Sequence, residues 1–255
     1  MLWQPIPIHY ENIDENTIQK LIDDRCPALV FRKFCDKTTC KTIANRIRKF
    51  SCEDYGSGEV KKVGVFLTAF PTKKRQYFID AKKAEKTLTH ILGNSDPRKK
   101  IHELLSKLFA KKVDIAKEGR KRYASAIIRI HENGDPAPLH RDNVNFEAKG
   151  FSVIDCKHQL SCVLHIQEPE RGGELVIYKR LWRESDEKFR SGGFGYSSNV
   201  IQNDTQMAVI KPETGNLVII NPNHFHQIQT TIGRSSRIIL GMFAGIKNEK
   251  IVTWS

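Results

Sequence analysis

The stretch GNLVIINPNHFHQIQTTIGRSSRIILG, residues 215–241, decides how the chain folds. After a glycine turn it runs apolar and β-branched to Ile220, breaks at Asn221-Pro222-Asn223, carries His224 and His226, and enters a second apolar run at Arg237. Short runs of the same texture occur upstream at 123–130, 160–166, 174–178 and 206–210, and the last one continues to 243. Turn residues fall between them, at Asn133-Gly134-Asp135-Pro136, Gly172-Gly173, Gly192-Gly193 and 211–215, as in an antiparallel core. Six runs without an intervening helix predict a sandwich or jelly roll.

Residues 1–122 read mainly as helices. Asp36 is a candidate N-cap for a segment in which Cys40, Ile43, Ala44, Ile47 and Phe50 repeat at helical spacing, and the period returns at Tyr77, Phe78, Ala81, Ala84 and Leu88. Asp96-Pro97 opens a third helix with Ile101, Leu104, Leu105 and Leu108 on one stripe. The expected fold class is α+β, with the helices packed on one side of a jelly-roll core at 123–245, all in one domain of residues 1–255.

Among 255 residues, 42 Lys and Arg face 29 Asp and Glu, a net charge of +13 that raises the question of an acidic partner. The densest run, 98–122, is read first as a solvated helix face and a basic loop, and second as an anion-binding surface. No apolar run has the length of a membrane span, and the first residues lack the basic and apolar regions of a signal peptide. Six cysteines without a CxxC pair are too sparse for a disulfide scaffold or a cysteine zinc site. A cytoplasmic setting is expected.

Chemistry enters at PAPLHRDNVNF, where His140 and Asp142 stand two apart and can face one cation from extended backbone. With one histidine of the 215–241 stretch they make the two-histidine, one-carboxylate set of a non-heme Fe(II) site. His224 and His226 share strand parity. Arg237, eleven residues beyond His226, can clamp a carboxylate bidentately, with Arg234 as its rival. His131 is read as a turn residue, and His158 and His165 as packing at a strand. Arg141, Asn143, Asn145 and Phe146 fit a pocket wall or a solvated loop, and Trp182, Phe194 and Tyr196 a lid or ordinary loop packing.

In this order, His140-Arg141-Asp142, then His226, then Arg237, the chain resembles the Fe(II)/2-oxoglutarate-dependent dioxygenases of the double-stranded β-helix fold. Gly172-Gly173-Glu174 and the Gly215–Asn221 strand are similar to that family's motifs as well. The helical front and the 174–182 run look like its branch of small-molecule radical halogenases and their hydroxylase relatives. The resemblance implies Fe(II) on His140, Asp142 and His226, with 2-oxoglutarate held by Arg237 and O2 as the oxidant. Where the family often has serine two after the arginine, position 239 is Ile, so Ser161 or His165 is expected to supply the second contact to the carboxylate. Halogenases of the branch lack the carboxylate ligand. With Asp142 present, the expectation is hydroxylation of a small molecule, such as a free amino acid or an amino-acid-derived metabolite. The alternatives are a peptidyl or protein hydroxylase and a non-catalytic jelly-roll binding module. A nucleic-acid substrate is disfavoured, because position 243 is Phe where demethylases of this fold carry a second arginine.

Overall fold

The structure is a computed structural model, and it describes residues 3–50 and 61–255. Two sheets form its core. The larger runs in the order Ile6–Ile8, Ala28–Phe31, Leu217–Ile220, Lys157–Gln167, Arg237–Lys247, Lys250–Trp254 and Val113–Ile115. Ile127–His131 joins it beside the first half of Arg237–Lys247, with Lys61–Val63 outside it. The smaller has the order Met207–Ile210, Leu175–Leu181, His224–Ile228 and Ala137–His140.

Alternation along the strands divides the large sheet into two chemically different faces. Leu160, Cys162, Leu164 and Ile166 point into a cluster shared with Ile238, Leu240, Leu217 and Ile219. Between them, Ser161, Val163 and His165 line a pocket on the opposite face, together with Val218, Arg237 and Ile239.

The first cluster also takes the buried stripes of the helices Lys37–Lys49 (Cys40, Ile43, Ala44, Ile47) and Pro97–Phe109 (Ile101, Leu104, Leu105, Leu108). Both start as the sequence predicts. The Asp36 carboxylate accepts from the Thr39 N–H at 2.8 Å, and Asp96 accepts from the Arg98 N–H at 3.0 Å ahead of Pro97. The helix Lys74–Leu92 divides its apolar residues. Leu88, Ile91 and Leu92 enter the first cluster, while Tyr77, Phe78 and Ala81 pack with Tyr123, Phe151 and Trp254.

Several boundaries differ from the sequence reading. The front is not only helical: it contributes the strands Ile6–Ile8, Ala28–Phe31, Lys61–Val63 and Val113–Ile115, each too short to show an alternation of its own. Two of these make parallel pairs, Ile6–Ile8 with Ala28–Phe31 and Val113–Ile115 with Lys250–Trp254, in an otherwise antiparallel sheet. A further helix, Glu15–Ile22, is capped at Asp14, whose carboxylate accepts from the Thr17 hydroxyl at 2.6 Å. Residues 123–126 are buried but make no ladder, and pairing starts at Ile127. Strand structure runs past 245 to Trp254.

Within the basic run, Arg98 is turned inward to Asp96, Glu85 and Ser125. The cysteines at 26, 35, 40, 156 and 162 are free thiols, and Cys52 lies outside the described residues. Among the described residues no helix is long and apolar enough to cross a membrane.

Candidate metal and carboxylate site

His140 ends its strand and pairs in register with His226 on the neighbouring strand, so the two imidazoles are brought together by the ladder itself. Their ring centroids are 4.2 Å apart. The chain then turns, with the Asp142 N–H donating to the Pro222 carbonyl at 2.8 Å, and this returns the Asp142 carboxylate to within 3.7 Å of His226 Nε2. One candidate ligand atom from each of His140, Asp142 and His226 lies within 4.8 Å of the others.

The tautomers follow from hydrogen bonding. His140 Nδ1 is 2.7 Å from the Pro138 carbonyl, and His226 Nδ1 is 2.8 Å from the His224 carbonyl. A carbonyl only accepts, so both Nδ1 atoms carry the proton and both Nε2 lone pairs are left for a cation. Burial lowers the affinity of both rings for a second proton. It pushes His226 down to about 3, with His140 adding to the effect, and it lowers His140 against the opposing pull of Asp142. Both are in the neutral form that binds metal without first losing a proton.

Arg237 opens its strand opposite His131 and is buried at 3% exposure. Two adjacent glycines allow close packing here, one against Arg237 and the other against the Thr230 carbonyl. At Gly173, with φ +71°, an added Cβ would come 2.9 Å from Arg237 Cδ, and at Gly172 one would meet the Thr230 carbonyl oxygen at 2.0 Å. Among the described residues Arg237 Nε has no hydrogen-bond partner, and neither do the buried atoms His131 Nδ1, His165 Nδ1 and Thr231 Oγ1. Burial pulls the Arg237 guanidinium down to about 9, helped by Arg129, and holds His131 and His165 well below the usual histidine range. A group of donors that is buried and unsatisfied in this way suits an anion with several acceptor oxygens.

The other sequence candidates separate clearly. His224 is buried on the far side, 3.0 Å from Asp24 and against the Trp3 ring, so parity along the strand did not distinguish it from His226. Arg234 is exposed in the loop. Ser161 and His165 both line the pocket with Arg237. His131 is a correction: it is a buried strand residue lining the same pocket, not part of the turn. Arg129, two residues before it on the same face, also lines the pocket. Its signal in the sequence was a lone charge inside the apolar run AIIRI.

Arg141, between the two ligands, points the other way. Its side chain is fully buried, 2.7 Å from Glu147 and 3.2 Å from Glu187, with its guanidinium 4.2 Å over the Trp182 ring. Tyr196 and Trp182 therefore belong to a packed cage around Arg141, whereas Phe194 is 52% exposed and stands edge-on to His140 at 5.3 Å. Arg141→Ala leaves the partly buried Glu147 to Arg190, 3.7 Å away, and empties the cage, and urea unfolding should show a loss of about 1–3 kcal/mol. An unchanged midpoint would remove the cage from the support of the metal site.

The sequence profile of a family described as the carrier-protein-independent halogenase WelO5 matches residues 3–255. The chain belongs to this family. Among curated relatives, the leucinostatins biosynthesis cluster protein S of Purpureocillium lilacinum is 32% identical over 120 residues, covering 46% of this chain and 48% of that protein. The L-gamma-glutamyl-L-propargylglycine hydroxylase of Streptantibioticus cattleyicolor is 27% identical over 129 residues, 49% of this chain and 47% of its own. The chain thus spans about half the length of the curated relatives it matches. The WelO5-family fold is similar to the crystal structure of an N-substituted L-amino acid dioxygenase from Burkholderia ambifaria, with a TM-score of 0.66 at 16% identity over 94% of this chain and 91% of that one. The same dioxygenase in complex with alpha-KG gives 0.64 at 15% identity, over 94% and 90%. The fold is the jelly roll of these oxygenases, with helices added.

Proposed function

We propose that the protein is a non-heme Fe(II)- and 2-oxoglutarate-dependent dioxygenase that hydroxylates an unactivated C–H bond of a small molecule, a free amino acid or an amino-acid-derived metabolite. The observation that carries the reading is the convergence of two histidine Nε2 lone pairs and one carboxylate beside a buried, unpartnered arginine. His140, Asp142 and His226 would hold the iron, and Arg237 the distal carboxylate of 2-oxoglutarate, with His165 or Ser161 as the second contact. Bound together, the metal and the 2-oxo acid supply the oxidising power that O2 chemistry at a C–H bond requires.

What the chain itself does is hold, orient and keep dry. The Nδ1–H bonds to Pro138 and His224 fix the plane of each imidazole. Val163, Val218, Ile220 and Ile239 form apolar walls that exclude water and strengthen the pull of Arg237 on a carboxylate. The helical front braces the large sheet from one side in this reading, which the cluster shared by the helix stripes and the sheet supports, and 1–255 acts as one oxygenase domain. The free thiols favour a reducing, cytoplasmic setting.

Membership of a family described by a halogenase leaves hydroxyl or halide transfer to be decided, and Asp142 favours hydroxyl, since its carboxylate takes the position a halide ligand would need. Two relatives named for amino-acid chemistry support the substrate class. The test is incubation with Fe(II), 2-oxoglutarate, chloride and a panel of amino acids and γ-glutamyl or N-acyl amino acids, read by mass spectrometry with succinate measured in parallel. The expected product gains one oxygen and is lost in Asp142→Gly. A chlorinated product, or unchanged turnover in Asp142→Gly, would overturn the assignment of Asp142.

A further inference from the structure

Arg129 sits in the middle of the Ile127–His131 strand, opposite Ile239, and lines the pocket that contains His140, Asp142 and His226. Among the described residues no hydrogen bond or ion pair reaches its guanidinium. It packs instead on the Phe66 ring, with Cζ 5.0 Å from the ring centroid. Arg129 is half-buried, and a guanidinium that faces a pocket with no acid of its own to pair with is free to take a carboxylate from a ligand. The pocket is short of negative charge: among its lining side chains, Arg129 and Arg237 face the single carboxylate of Asp142. Asp142 is also the carboxylate that a metal would take.

The ladder sets the spacing. Arg237 pairs with His131 and Ile239 with Arg129, so the two arginines lie on one face, one two-residue repeat apart. That repeat is about 7 Å along a strand, close to the span between the two carboxylates of a five-carbon diacid. Arg129 lines the pocket with His140, Asp142 and His226 and packs on Phe66, which meets Phe243, whereas the Arg237 stem lies at Gly173.

We infer that Arg129 is a second carboxylate anchor, which holds a carboxylate beside the His140–Asp142–His226 triad while Arg237 holds another deeper in the pocket. The inference rests on the oxygenase reading and extends it to a residue that reading does not use. Two ligands offer this chemistry: the 2-oxo-acid end of 2-oxoglutarate, and the carboxylate of an amino-acid substrate. Either would be gripped by the planar fork that distinguishes arginine from lysine.

The experiment compares the full-length wild type with Arg129→Met and Arg129→Lys, loaded anaerobically with Fe(II). Calorimetry follows 2-oxoglutarate binding, and thermal shift follows a panel of free amino acids in the presence of saturating 2-oxoglutarate. If the ligand is the 2-oxo acid, Arg129→Met weakens 2-oxoglutarate by at least about tenfold and Arg129→Lys by less. If it is the substrate, 2-oxoglutarate binding is retained and the amino-acid-dependent shift seen in wild type disappears. In both cases Arg129→Met without ligand unfolds no earlier than wild type, because two like charges no longer share one face of the pocket; a residue present only to pack on Phe66 would instead lower the unfolding temperature. Wild-type binding of 2-oxoglutarate with Arg129→Met matching it for that ligand and every amino acid would overturn this inference alone. Wild type that binds no 2-oxoglutarate would overturn the oxygenase reading and this inference with it.

Discussion

His226→Ala should lose Fe(II) by a factor above about 100 and show no detectable 2-oxoglutarate turnover, while His224→Ala, two residues away, should keep both. The difference comes from where the rings point. His226 leaves Nε2 free beside Asp142 and His140, whereas His224 Nε2 is taken by Asp24 and its ring lies on Trp3. His226 also pairs through its backbone with Ile177 and His140, and alanine preserves that ladder, so the variant should fold. Circular dichroism confirms folding, and equilibrium dialysis against Fe(II) under nitrogen reads the metal. Equal loss in the two variants would mean that the Trp3 side of the strand controls the site.

Arg237→Met has the second largest expected effect, and it runs in opposite directions for binding and stability. Removing the cation that faces a desolvated carboxylate should weaken 2-oxoglutarate by about 100-fold or more. The variant should also lose discrimination against 2-oxopentanoate, which lacks the distal carboxylate, and a changed preference of this kind cannot come from general loosening of the pocket. Without ligand the variant should unfold no earlier than wild type, because Nε is unpartnered and burial already pulls the guanidinium down to about 9. A variant that still prefers 2-oxoglutarate over 2-oxopentanoate would transfer the clamp to another residue.

The parts of the molecule that announce themselves locally were legible in the sequence. Asp36 and Asp96-Pro97 open helices because caps act within one turn, and the β-branched runs pair because half of each is buried. His140, Asp142 and Arg237 could be named because short motifs fix them relative to a strand end. His131 and Arg129 could not. Their places in the pocket depend on pairing with a strand more than a hundred residues away, and the turn at Asn133-Gly134 masked how far the Ile127–His131 strand extends. The same is true of Arg141, whose inward turn toward Glu187 and Trp182 is a long-range packing event. The short front strands at Ile6–Ile8 and Val113–Ile115 have three residues each, below the length at which a period of two can be recognised.

Binding of Fe(II) by His140, Asp142 and His226, in a form that 2-oxoglutarate can chelate, is read by titrating the anaerobic Fe(II)-loaded protein with 2-oxoglutarate and following visible absorbance. The expected result is a charge-transfer band that grows to saturation, is absent in His226→Ala, and requires far more 2-oxoglutarate in Arg237→Met. A wild-type protein that binds Fe(II) and 2-oxoglutarate yet gives no band, or that binds neither, would contradict it.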